Sequence, residues 1–148
     1  MRQLSNGEVR KVLISVNRAD GIYHRLARRI GIKENALALF YALSDGEMHS
    51  QKEICDEWMI PRSTINTIVR ECVENGYIKL EKSTRAKEKE LLLTQMGKQY
   101  ANDLMCKLFS AEQEAFTNTA NRYGEEFVQA LAFFVGQLEE QLSRGECQ

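Results

Sequence analysis

The stretch SQKEICDEWMIPRSTINTIVRECVENGYIKL, residues 50–80, decides the fold. Ser50-Gln51-Lys52-Glu53 has the spacing of a capping box. In such a box the serine hydroxyl accepts from a free backbone N–H and the glutamate reaches back to the serine's own. It opens a helix whose buried edge is Ile54, Cys55 and Trp58. That helix must stop near Ile60, because proline disfavours the α conformation in the residue before it. Pro61 itself suits the first turn of a second helix, where its missing N–H costs little. From there Ile65, Ile68, Val69, Cys72 and Val73 recur at helical spacing, and the opposite face carries Arg62, Ser63, Asn66, Thr67 and Arg70. Asn75-Gly76 supplies a left-handed stop.

Downstream, residues 77–82 alternate like a strand and residues 90–94 follow as another. The polar, basic stretch 83–89 between them is the tip of a hairpin. Two helices joined by the short turn Met59-Ile60-Pro61 and followed by a hairpin form a winged helix-turn-helix. Upstream, residues 8–30 read as a helix through Val9, Val12, Leu13, Val16, Ile22, Leu26 and Ile30, with Gly21 a candidate bend. Arg28, Arg29 and then Gly31 close it in keeping with the helix dipole. Asn35 is placed to cap a second helix through Leu37, Phe40, Tyr41 and Leu43, ended by Ser44-Asp45-Gly46. Beyond the hairpin, one long helix is expected over 95–119 and another over 125–143. The fold class is mainly α with a small β wing. A single domain spans 1–148, its winged helix-turn-helix lobe at 34–94 and its dimerisation helices at 8–30 and 95–143.

Net charge is −1, with 20 Lys+Arg against 21 Asp+Glu, so no overall basic bias announces a polyanionic partner. The average conceals segregation. Residues 1–33 carry 8 basic and 2 acidic side chains, 34–60 carry 1 and 6, 61–89 carry 7 and 4, and 90–148 carry 4 and 9. A DNA binder needs local positive potential, not positive total charge. No run approaches the roughly 20 apolar residues of a membrane span, and the start lacks a secretory signal, so a cytoplasmic protein is expected. Cys55, Cys72, Cys106 and Cys147 lie too far apart for zinc-type spacing. Cys55 and Cys72 read as inert core thiols, and Cys147 as exposed. No metal or cofactor is called for.

Within the helix-turn-helix, the second helix enters the major groove and presents its N-terminal polar face. Arg62 can pair bidentately with guanine and Asn66 with adenine, while Ser63, Thr64 and Thr67 bond bases or phosphates. Ser50, Gln51 and Arg70 complete the DNA-binding set on the two helices. Arg85, Lys87 and Lys89 on the hairpin tip can reach a minor groove or the phosphate backbone. A solvated helix face or a soluble turn would explain each piece alone. Their order is what points to double-stranded DNA.

These residues carry a family resemblance. Residues 54–97 resemble the winged-helix domain of the MarR (multiple antibiotic resistance regulator) family. Glu74-Asn75-Gly76-Tyr77-Ile78 is similar to the family's passage from recognition helix to first wing strand. Leu93-Thr94-Gln95-Met96-Gly97 resembles its Leu-Thr-x-x-Gly lead-in to the dimerisation helix. The resemblance implies a homodimer with intertwined terminal helices on a palindromic operator, usually a repressor. It also implies a small phenolic or lipophilic effector between the dimer helices and the DNA-binding lobe, for which Tyr23, His24 and Tyr41 are the candidates. Two departures stand out. The family's wing Asp-x-Arg is here Arg85 and Lys87, and the first 54 residues hold no cysteine for peroxide sensing.

The last helix supports a dimer independently, being apolar at 127, 128, 131, 134, 135, 138 and 142. Enzyme chemistry finds no foothold in the sequence. There is no Gly-rich phosphate loop, no Ser-His-Asp order and no metal-ligand cluster. His49 reads as a turn residue. The competing function is a winged-helix module for protein–protein assembly with no operator.

Overall fold

A computed structural model describes residues 6–85 and 87–145. The elements run α1 (Asn6–Ile30), α2 (Glu34–Leu43), β1 (His49–Ser50), α3 (Gln51–Trp58), α4 (Arg62–Glu74), β2 (Ile78–Lys82), β3 (Lys89–Leu93), α5 (Gln95–Tyr123) and α6 (Glu126–Gly145). They divide into two compact units, one up to Leu104 and the other from Met105 onward. Cys147 lies outside the described residues.

The first unit is built around the capping box read from the sequence. Glu53 N–H donates to Ser50 Oγ at 3.1 Å, and Ser50 N–H donates to Glu53 Oε2 at 2.8 Å. That backbone hydrogen bond from Ser50 is the main cause holding the Glu53 carboxyl below its ordinary pKa. A depressed carboxyl contributes stability above its unfolded pKa and loses it as pH falls through the folded one, so the cap weakens in acid. Ser50→Ala removes the acceptor; a loss of about 1 kcal/mol and a fall in Tm of roughly 2–4 °C are expected in thermal unfolding. An unchanged Tm would mean that the cap contributes nothing.

α3 ends where Met59 takes a left-handed conformation, φ 52°. Pro61 is then the N-cap of α4, extended at φ −58° and ψ 138°, one position earlier than the sequence reading placed it. Ile65, Ile68, Val69 and Cys72 turn inward and are buried, whereas Val73 remains 37% exposed. They meet Leu39, Phe40 and Leu43 of α2, Ile54 of α3, Ile78 of β2 and Leu91 of β3 in a core of fully or almost fully buried side chains. Burial pushes the Cys72 thiol up to about 11 and raises that of Cys55, as inert core thiols require. Cys106 is exposed.

Five sequence expectations need correction. α2 begins at Glu34 with Lys33 as an extended N-cap lacking a side-chain cap, so Asn35 sits inside the helix. Trp58 is 38% exposed and packs its ring against Tyr41 at 5.2 Å, since α3 ends at this residue. Tyr77 precedes the strand; its ring stacks on Tyr100 at 4.4 Å and meets Phe40 edge-on at 6.1 Å. His49 is not in a turn but in β1, the third strand of a sheet ordered β1-β3-β2, with His49 opposite Leu91 and Ser50 opposite Glu90. α1 runs through Gly21 without a break in the helix.

The second unit holds α5 from Met105 and α6. Gly124, at φ 82°, reverses the chain between the two helices, and Phe116 packs against Phe127 at 5.6 Å. α6 has no buried residue among those described. Val128, Leu131, Val135, Leu138 and Leu142 of its apolar stripe are all exposed.

Candidate nucleic-acid interface and adjoining cavity

α4 starts without an acidic residue in its first turn and without a side-chain cap. The first inward bond is Ile65 N–H to the Pro61 carbonyl at 3.0 Å. The N–H groups of Arg62, Ser63 and Thr64 are therefore left at a positive helix end, the arrangement that suits a phosphate. The residues that follow divide by face. Arg62, Ser63, Asn66, Thr67 and Arg70 are exposed and Thr64 half-buried, while the aliphatic side fills the core. Thr67 Oγ1 donates to the Ser63 carbonyl at 3.2 Å.

Beside this face lies a groove of about 320 Å³ bounded by α3, α4 and the wing. Gln51, Lys52, Arg62, Asn66 and Lys89 are among the side chains lining it. Gln51 thus joins Arg62 and Asn66. Ser50 does not: it is buried, and its hydroxyl is taken up by the capping box, so it drops out of the candidate contact surface.

The wing divides its three basic residues by role. Lys87 and Lys89 are exposed. Arg85 instead turns back from the tip: its guanidinium reaches Glu90 Oε1 at 3.0 Å and the Met48 carbonyl at 3.3 Å. Glu90 is 2% exposed, and its Oε2 has no hydrogen-bond partner among the described residues. A buried carboxylate with one cationic partner depends heavily on that partner, because removing it strands a charge out of water. Arg85 therefore fixes the wing to the strand carrying His49 and Ser50. Glu90 is the residue of this region that sequence reasoning passed over. Its burial arises from pairing with β1, a strand of two residues with no periodicity to detect.

The wing is joined to α5 by a compact knot. Thr94 Oγ1 accepts from Gly97 N–H at 3.0 Å, capping α5, and donates to the Gly76 carbonyl at 2.6 Å. Thr94 N–H donates to the Tyr77 carbonyl at 3.0 Å. The Leu-Thr-x-x-Gly phrase is thus a helix cap that also ties the end of α4 to the start of α5.

Tyr23 and Tyr41 line a cavity of about 340 Å³ between α1, α2 and α3, together with Asp20, Glu34, Leu37 and Trp58. His24 does not line it. Its Nδ1 pairs with Glu34 Oε2 at 2.7 Å on an exposed surface.

Residues 30–87 match the family model of the MarR family. No curated protein sequence matches the chain. Among solved structures, a MarR family regulator from Neisseria meningitidis superposes with a TM-score of 0.79 at 18% identity, covering 93% of this chain and 98% of that one. A MarR family transcriptional regulator from Silicibacter pomeroyi gives 0.69 at 16% identity, covering 90% and 96%. Staphylococcus aureus MarR, in complex with salicylate and kanamycin, gives 0.59 at 18% identity, covering 96% and 95%. No helix among the described residues is long and apolar enough to cross a membrane. Residues 30–87 thus carry the match to the MarR family model, and over nine-tenths of its length the chain shares the fold of a solved MarR family regulator.

Proposed function

We propose that the protein is a sequence-specific, double-stranded DNA-binding transcriptional regulator. It acts as a homodimer on a palindromic operator, as a repressor relieved by a small-molecule effector. The observation that carries this reading is the two-sided character of α4. Its aliphatic side is locked in the core, and its outward side offers Arg62, Ser63, Asn66, Thr67 and Arg70 beside an uncompensated helix N-terminus. Lys87 and Lys89 on the wing extend the positive surface toward the backbone of a bound duplex. Dimerisation is supported by α6, whose exposed apolar stripe needs cover, and by the exposed Val9, Val12, Leu13 and Val16 of α1. Structural relatives described as transcriptional regulators, one of them holding two small molecules, support the same reading.

The test is retention of the DNA upstream of the protein's own coding sequence against a scrambled duplex, across a salt series. Specific retention that weakens steeply with salt is expected. Arg62→Ala should cost roughly 1–3 kcal/mol and relax base preference, whereas Lys87→Ala should mainly reduce the salt slope. Arg85→Ala should behave as neither. By releasing the wing it should lower Tm as well as affinity. If Arg62→Ala and Lys87→Ala both bind like wild type, α4 and the wing are not the reading surface. If no duplex is preferred, the protein-assembly reading replaces this one.

A further inference from the structure

The cavity between α1, α2 and α3 has a chemistry unlike that expected for an acidic phenol. Its polar side chains include two carboxylates, Asp20 from α1 and Glu34 from α2, and no lysine or arginine is among the lining residues. Lys33, next to Glu34 in the chain, reaches Glu71 at 3.6 Å, and His24, outside the cavity, hydrogen-bonds Glu34 at 2.7 Å from the exposed surface. The apolar walls are aromatic: Tyr23, Tyr41 and Trp58, the last two with ring centroids 5.2 Å apart and planes inclined at 58°. Aromatic faces attract a cation through the ring quadrupole, tryptophan most strongly, and two carboxylates add Coulomb attraction of the same sign. An anion entering the same space would meet two like charges with no cationic partner lining the cavity. The volume, about 340 Å³, lies within the range of small-molecule sites.

We propose that this cavity is the effector site of the regulator and that it selects an aromatic organic cation, an arylalkyl amine or quaternary ammonium compound, over an aromatic acid. The proposal rests on the regulator reading for its consequence but not for its binding step. Asp20 and Glu34 supply the charge, Trp58 and Tyr41 the faces that stack on the ligand, and Tyr23 the wall opposite. The Asp20 position shares a face with Tyr23, three residues on, and both project from α1 into the same space.

Trp58 is the only tryptophan in the chain, so its fluorescence reports the cavity directly. Purified wild-type protein free of DNA is titrated with benzyltrimethylammonium, with its neutral carbon isostere neopentylbenzene, and with salicylate. A saturable change is expected with the cation, at least 10-fold weaker binding with the isostere, and weaker binding still with salicylate. Asp20→Asn and Glu34→Gln should each weaken the cation at least 5-fold while leaving the isostere unaffected. Equal binding of cation and isostere, tighter binding of salicylate, or no saturable change with the cation would overturn the proposal. So would an unaltered cation affinity in both variants. Because the wild-type comparison of ligands needs no variant, misfolding cannot mask the result. A protein that binds the cation yet retains no operator DNA would sink the regulator reading and leave the cavity assignment standing; the reverse pattern would do the opposite.

Discussion

Gly97→Ala is expected to destabilise the protein by about 3 kcal/mol or more, and to lower Tm by roughly 10 °C. A Cβ at this position would lie 1.9 Å from the Tyr77 carbonyl oxygen and 2.8 Å from its carbonyl carbon. Both are backbone atoms with no freedom to withdraw. The Tyr77 carbonyl accepts from Thr94 N–H at 3.0 Å, Tyr77 N–H donates to the Cys72 carbonyl at 2.9 Å, and the Tyr77 ring is stacked on Tyr100. The first turn of α5 would have to move, breaking the Thr94 cap and the tie to Gly76. Gly21→Ala is the matching control. Its added Cβ meets only the flexible end of Arg25, at 3.5 Å, inside a helix where alanine is preferred. Thermal unfolding of the two variants should therefore diverge. A wild-type Tm for Gly97→Ala would mean that α5 does not approach Tyr77 this closely.

The second large effect is on assembly. Replacing Leu131 and Leu138 together by glutamate should convert a dimer to monomers at micromolar concentration in sedimentation experiments. The two leucines are one heptad apart on α6, 44% and 42% exposed in the chain taken alone. They have little to lose in a free protomer. In a dimer, each glutamate would carry an unpaired charge into an apolar seam, at a cost of several kcal/mol per dimer. The variant should stay helical yet lose operator retention, because one half-site held by one protomer binds far more weakly than two. A variant that remains dimeric would show that the α6 stripe is not what joins the chains.

Much of this fold was readable because its signals are local. The Ser50–Glu53 box, the stop before Pro61, the stripe from Ile65 to Cys72 and the glycines at positions 31, 46 and 76 each act within a few residues. Those glycines all stand at positive φ, where a side chain would be strained. The features that escaped depend on partners distant in sequence. β1 exists only because Leu91 and Glu90 lie across from it. Glu90 is buried for the same reason, and Arg85 is drawn off the wing tip to serve it across 37 residues from the Met48 carbonyl. Asn35 carries a good capping side chain, but the chain enters α2 extended at Lys33, two positions too early for it. In the cavity, the tyrosines were legible and the carboxylates were not. Applying helical spacing to Tyr23 would have found Asp20 on its face. Trp58 was assigned to the core from its apolar character, although the helix ends beneath it and leaves the ring to wall the cavity.

The most direct test of the central claim is a hydroxyl-radical and methylation footprint of the protein on its own upstream DNA. Two protected tracts are expected, about one helical turn apart and related by two-fold symmetry. Guanine N7 within each should be shielded in wild type and reopened in Arg62→Ala. A single unpaired tract, or guanine protection untouched by the loss of Arg62, would contradict a dimer that reads the major groove with α4.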